Sequence, residues 1–301
     1  LASTLASAAD THKLILDWFP NADHVPLFVA KEAGIFTKHG LNIELIAPAD
    51  PNDPLKLVAA GQAAFAINYQ PNVIIARAEG LNVKSIGALV DHPLSSLAFL
   101  QRSKIRTPAD LKGKRIGYSV ESLEMALLKV ILEGAGLKMA DVTTVNVNFN
   151  LTSSLLSGQA DAVMGAFWNY ELAELELEKQ PGAYFAMEKY GVPDYSELIV
   201  ISSDKFLKDN PAVARKLVAA VQEAIDLTRR DPEKALAMYF KANPTVRKEL
   251  EQKAFALTLP QFAHTQDQSK EKWATWARFA LDRGLIKQAV DPDSLVFTGK
   301  R

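Results

Sequence analysis

The sequence predicts an α/β protein of two lobes, with a ligand cleft at their boundary. Three observations carry this reading. Short β-rich runs alternate with longer runs of helical period, a rhythm that builds mainly parallel sheets with helices on both faces. Gly-Gln-Ala occurs twice, at 61–63 and 158–160, each time just before a strand-like run. A repeated tripeptide is a weak sign of two similar units. The rhythm also breaks around residues 91–105, where the chain can cross from one unit to the other.

The elements follow in order. Leu14-Ile15-Leu16 reads as a strand and Pro26 to Ala33 as a helix, with Leu27, Ala30 and Gly34 near one face. Ile43 to Ile46 is a strand. Asp53-Pro54 opens a helix to Ala60, with aspartate as the cap and proline in the first turn. Strand Ala64–Ile67, helix Pro71–Glu79 and strand Lys84–Leu89 follow. Past the break come strand Leu97–Leu100, a polar stretch to Arg106 and a helical turn at Thr107-Pro108-Ala109-Asp110. The units then resume with strand Arg115–Gly117, helix Glu121–Glu133, strand Val142–Val147, helix Thr152–Ser157, strand Ala162–Gly165, helix Tyr170–Lys179 and strand Leu198–Ile201. The remainder is helical, over 211–229, 232–240, 246–257 and 270–283. Two crossings, near 91–105 and 190–202, divide the chain into a first lobe of residues 10–95 plus 200–301 and a second lobe of 96–199.

Composition narrows the function. Over 301 residues, 34 Lys+Arg nearly cancel 35 Asp+Glu, which argues against a nucleic-acid or anionic-membrane partner. No cysteine is present, so thiolate nucleophiles, disulfides and cysteine-based metal sites are excluded. The histidines lack the spacing of a zinc helix, and neither a Gly-x-Ser-x-Gly elbow nor a P-loop occurs. No cofactor and no metal is expected. Leu1 to Ala9 is small and apolar, and Ala6-Ser7-Ala8 fits the cleavage site behind a signal peptide. Residues 1–9 are therefore expected to be a remnant of an export signal or a disordered, Ala-rich end, and the location periplasmic.

Ligands of such sheets bind beyond the carboxyl ends of the strands, and hinge closure buries them between lobes. Five post-strand loops hold the candidates. The first, Asp17 to His24, packs two aromatics, two carboxylates, an amide and an imidazole into eight residues; Asp17, Trp18, Asn21 and His24 are singled out. Aromatic faces stack flat rings, while acids and amides read ring N–H and amino groups. The second supplies Tyr69 and Gln70, and the third Ser119 and Glu121, with serine also a natural helix cap there. The fourth supplies Phe149, and the fifth Phe167, Trp168, Asn169 and Glu171. Helical spacing lets only some of the fifth set face one cleft. Glu174, Glu176 and Glu178 read as the solvated face of a helix, and Trp273 with Trp276 as core.

Leu16-Asp17-Trp18-Phe19-Pro20-Asn21, followed by Phe28 to Phe36, resembles the opening of the periplasmic solute-binding proteins related to thiamine-pyrimidine synthases. Leu55 to Ile67, Thr107 to Gly117 and the Phe167–Glu171 motif are similar to later segments of that family. The middle segments are shared with binders of sulfonates, nitrate or taurine. The resemblance implies a type II periplasmic-binding fold with a two-segment hinge. It also implies a monomer, a membrane permease of an ABC importer as partner, and a pyrimidine ligand such as formylaminopyrimidine or hydroxymethylpyrimidine. Carried over, Trp18, Tyr69 and Trp168 or Phe167 would flank the ring, and Asp17, Asn21, Asn169 and Glu171 would read its edge. An enzyme branch of the family makes the pyrimidine from pyridoxal phosphate and one of its own histidines, and carries a cysteine-rich iron-binding motif. This chain has no cysteine, so a carrier is expected rather than the enzyme. Flavins and sulfonates are the alternative ligands.

Overall fold

The computed structural model describes residues 10–299; the expected export remnant, residues 1–9, lies outside the described residues. The chain begins with β1 (Thr11–Ile15), α1 (Val25–Glu32), α2 (Ile35–Lys38), β2 (Asn42–Ile46), α3 (Asp53–Ala59), β3 (Phe65–Asn68), α4 (Gln70–Ala78) and β4 (Val83–Val90). It crosses to β5 (Ser95–Leu100) and runs on through β6 (Arg115–Tyr118), α5 (Glu121–Gly134), β7 (Thr143–Asn146), α6 (Leu151–Ser157), β8 (Ala162–Phe167), α7 (Glu171–Leu177) and β9 (Gly182–Ala186). It returns as β10 (Leu198–Ser203), then α8 (Asp204–Asp209), α9 (Pro211–Arg230), α10 (Pro232–Ala242), α11 (Lys248–Thr258) and α12 (Lys270–Asp282).

Two five-stranded sheets result, in the orders β2-β1-β3-β10-β4 and β7-β6-β8-β5-β9. The orders are equivalent, so each sheet sits in its own α/β lobe of the same plan. In each sheet one strand runs against the other four: β10 in the first and β5 in the second. These are the strands entered immediately after each crossing. The rhythm of the sequence foretells the parallel strands and is silent on the reversed ones, because a crossing strand carries the same apolar run either way. The repeated Gly-Gln-Ala falls at equivalent places, between α3 and β3 and between α6 and β8. Gly61 and Gly158 both have positive φ, 70° and 75°, which ends the preceding helix without a Cβ clash.

The sequence reading misses α2, α8 and β9. Each is four to six residues long, too short to show a period. The helical C-terminus packs back on the first lobe: α9 and α10 lie on α1, and α12 on α4. α1 is buried from Val25 to Ala30, the pattern of a helix covered on several sides. α9 instead buries a stripe of Ala214, Leu217, Ala220, Val221, Ala224, Ile225 and Thr228, as its helical spacing requires. Trp273 and Trp276 are core residues. α11 differs from its neighbours because it touches both α7 and the turn at 22–24. It therefore bridges the lobes at one end of the cleft. Among the described residues, no helix is long and apolar enough to cross a membrane.

Candidate functional site

The carboxyl ends of β1 and β3 face those of β6 and β8 across the cleft. The chain order reverses beside these strands, so their loops leave a crevice. A cleft lies there, with about 440 Å³ of unfilled space that includes open solvent, lined by Asp17, Trp18, Asn21, Tyr69, Ser95, Leu123, Glu124, Leu151, Gly165, Phe167, Tyr170 and Glu171. The room within it for a water-sized molecule is only about 30 Å³, so the two walls stand close together. Six residues singled out in the sequence line it: Asp17, Trp18, Asn21, Tyr69, Phe167 and Glu171.

The first-lobe wall is internally bonded. His24 Nε2 lies 2.8 Å from Asp17 Oδ1, and the Tyr69 hydroxyl donates to Asp17 Oδ2 at 3.0 Å. The Asn21 amide N–H donates to His24 Nδ1 at 3.3 Å. Nδ1 is thus an acceptor, and the ring proton sits on Nε2, where it is donated to Asp17. Asn21 turns its Oδ1 to the Asp23 amide at 2.9 Å, which caps the turn at 22–24. Trp18 is buried, and its indole N–H has no protein partner. An orphaned buried donor at a cavity wall is a ready contact for a ligand acceptor.

The second-lobe wall carries two acids. Glu171 accepts the Phe167 N–H at 2.7 Å, and Glu124 accepts the Ser119 N–H at 2.7 Å. Burial pushes both carboxyls up to about 8, because a low-dielectric site disfavours the charged form. Both therefore hold a proton at neutral pH.

The other candidates sit elsewhere. His24 is fully buried behind Asp17 and orients it without lining the cavity. Gln70 joins the return crossing, where its Oε1 accepts the Ser196 N–H at 2.8 Å. Ser119 donates its hydroxyl to the Asn148 carbonyl, and only its amide serves the wall. Glu121 is exposed, and its N–H meets Asn52 Oδ1 at 3.0 Å across the lobes. Phe149 packs edge-on against Trp18, with centroids 4.6 Å apart. Of the two alternatives for one ring face, Phe167 lines the cavity, while Trp168 points away from it and donates its indole N–H to the Pro93 carbonyl at 3.1 Å. Asn169 was expected to read a ligand edge. It bonds Asp23 at 2.6 Å and Thr258 at 2.7 Å instead, as a clasp between lobes. Tyr170, next to it, donates to Glu251 at 2.8 Å. The three stand in the turn between β8 and α7, where consecutive side chains point different ways.

Glu124 and Gly165 were missed. Glu124 lies beyond the loop, in the first turn of α5. The available signal was an acid in the first turn of a helix that opens at a strand end, where it can reach back to free amides. Gly165 read only as the end of a strand.

Residues 21–235 match the family described as NMT1/THI5 like. The chain belongs to that family. A Haemophilus influenzae protein named for thiamine biosynthesis is 40% identical, over 96% of this chain and 93% of its own length. The formylaminopyrimidine-binding protein of Halalkalibacterium halodurans is 34% identical over 88% of this chain and 83% of its own. A 4-amino-5-hydroxymethyl-2-methylpyrimidine phosphate synthase of Saccharomyces cerevisiae is 29% identical over 82% of this chain and 76% of its own. The alkanesulfonate-binding protein of Xanthomonas axonopodis pv. citri, solved with bound MOPS, superposes with a TM-score of 0.77 at 18% identity, covering 95% of this chain and 98% of that one. The fold is thus that of the periplasmic binding proteins, as the opening motif implied.

Proposed function

We propose that this chain is an extracytoplasmic solute-binding subunit that closes on a pyrimidine precursor of thiamine and delivers it to the permease of an ABC importer, acting as a monomer and without turnover. One observation carries the reading: the cavity combines aromatic faces with three carboxyl groups and has no Lys, Arg or His in its lining. Such a wall suits a neutral or cationic heteroaromatic. Sulfonates and phosphate esters need cationic or multiple N–H partners, and here they would meet carboxyls. The kinship to a formylaminopyrimidine-binding protein supports the same ligand class. The fold kinship to an alkanesulfonate binder extends to architecture alone.

The synthase relatives set the competing reading. Pyridoxal phosphate enzymes attach the cofactor to a lysine as a Schiff base, and the lining offers no amine. This supports carriage over conversion.

Titration calorimetry separates these readings. The panel is formylaminopyrimidine, 4-amino-5-hydroxymethyl-2-methylpyrimidine, its phosphate ester, riboflavin and an alkanesulfonate. Tight binding is expected for a neutral pyrimidine, with at least about a hundredfold weaker binding of the phosphate and the sulfonate. Preference for an anionic ligand sinks the proposal. So does a near-visible aldimine band on mixing with pyridoxal phosphate, which would favour the enzyme.

A further inference from the structure

The polar atoms around the cavity are not equivalent. Asp17 uses one oxygen on His24 and the other on Tyr69. Glu124 and Glu171 each commit Oε2 to a backbone amide of their own lobe. Among the described residues, neither Oε1 makes a hydrogen bond of good geometry, and the Oε2 atoms hold those that are made. Glu171 belongs to the motif already singled out. Glu124 lies in no recognised motif, yet the fold makes special room for it.

That room is at Gly165, in β8. Three features coincide there. Its φ is +86°, a left-handed conformation that favours glycine. The pairing of β5 with β8 slips at this point, so that Ser96 faces Ala166 while Leu97 faces Met164. Gly165 is thus the extra residue of a bulge, a device that bends a strand and re-aims its neighbours. Finally, a Cβ on Gly165 would collide with Glu124 Oε1. A bulge, a positive φ and a missing side chain together form a notch, and the Glu124 carboxyl is seated in it.

We infer that Glu124 is a second ligand-reading acid, seated by the Gly165 notch, and that the ligand offers polar groups at two points of the cavity. This inference rests on the solute-binding reading above. With Oε2 accepting from Ser119, the proton Glu124 holds at neutral pH sits on Oε1 and is donated to a ligand acceptor, a ring nitrogen or a substituent carbonyl. A bare ring with a single polar edge would leave one of the two acids unmatched, and an unmatched buried polar group weakens binding.

The test is calorimetry with formylaminopyrimidine on the parent chain, E124Q, E124A, G165A and the double variant E124A/G165A. E124A is expected to bind at least about tenfold more weakly. E124Q keeps a donor at that point and stays within about threefold. G165A displaces the carboxyl and matches E124A, and the double variant is no worse than the weaker single, because both losses run through one contact. Infrared difference spectra of the parent provide a readout independent of variant folding: ligand should shift a protonated-carboxyl band that E124Q lacks. Parental affinity in E124A, losses that multiply in the double variant, or an unshifted band each overturn the assignment. A parent that binds no pyrimidine overturns the functional reading itself, and this assignment with it.

Discussion

The loops after β1 and β3 in the first lobe and those after β6 and β8 in the second occupy matching places, yet they treat polar groups differently. In the first lobe, Asp17 is closed off by His24 and Tyr69, and Asn21 caps its own turn. In the second, Glu124 and Glu171 each keep an oxygen free. The first lobe therefore presents a prebuilt surface that offers the face of Trp18 and, as its free polar group, the unpartnered indole N–H. The second lobe presents hydrogen bonds still to be made. On the proposed function, ring shape would be read by one lobe and polar edge by the other. The lobes meet where Trp18 packs on Phe149 and Asn169 bonds Asp23.

Trp18→Ala removes the largest flat surface of the first-lobe wall, together with its contact to Phe149. An aromatic at the centre of a binding surface is worth about 2 kcal/mol or more of binding, so ligand affinity should fall by at least about thirtyfold. Calorimetry checks this. A dissociation constant within about threefold of the parent would place the ring against another surface and remove Trp18 from the division of labour.

Asp17→Asn, Glu171→Gln and Glu171→Ala test the polar half of the comparison. In the first variant the new amide would face two donors with one acceptor, which costs about 1–3 kcal/mol of stability. The unliganded Tm should drop by several degrees, with a smaller change in binding. Glu171→Gln, like E124Q, keeps a donor at the free position, so Tm and affinity should both stay near the parent's, whereas Glu171→Ala should lower affinity about tenfold. If Asp17→Asn and Glu171→Ala lose Tm and affinity in the same proportion, the two walls do not differ as argued.

How much of this was readable beforehand depends on the kind of signal. The strand–helix rhythm and the repeated Gly-Gln-Ala mark the two lobes because they are local patterns. The reversed strands β5 and β10 are set by where the chain crosses, and no residue run encodes that. At the site, Asp17, Trp18 and Tyr69 were legible because they stand directly after strands. Asn169 and Trp168 have the right chemistry beside the right strand, and the turn between β8 and α7 points them away. Glu124 fails the opposite way: its chemistry is ordinary for a first helical turn, and its place opposite Gly165 depends on a contact with a distant part of the chain. Packing between distant segments decides such residues, and no local pattern carries it.

Glu197 sits on the seam between the two lobes and gives the mildest test of the comparison. It accepts the Leu94 and Ser95 amides at 2.6 and 2.7 Å and the Ser95 hydroxyl at 3.0 Å, so it ties the start of β10 to the crossing into β5. Burial pushes its carboxyl up to about 7. The native state then keeps a proton that the unfolded chain releases above about pH 4.5. The stabilisation is complete below that point and is lost as pH rises toward 7. Glu251, also near 7, and Asp23, near 6, lie at the α11 clasp and add slopes of the same sign. Stability should therefore fall from about pH 5 to about pH 8. Glu197→Gln removes one share of that fall, at most ~1.4 kcal/mol for each pH unit within the window. An amide also loses one of the three accepted bonds, so the absolute Tm is a poor guide and the slope is the quantity to compare. Chemical denaturation of parent and variant at several pH values gives that slope. Parallel curves would mean that Glu197 titrates alike in both states, and that the seam holds through its hydrogen bonds alone.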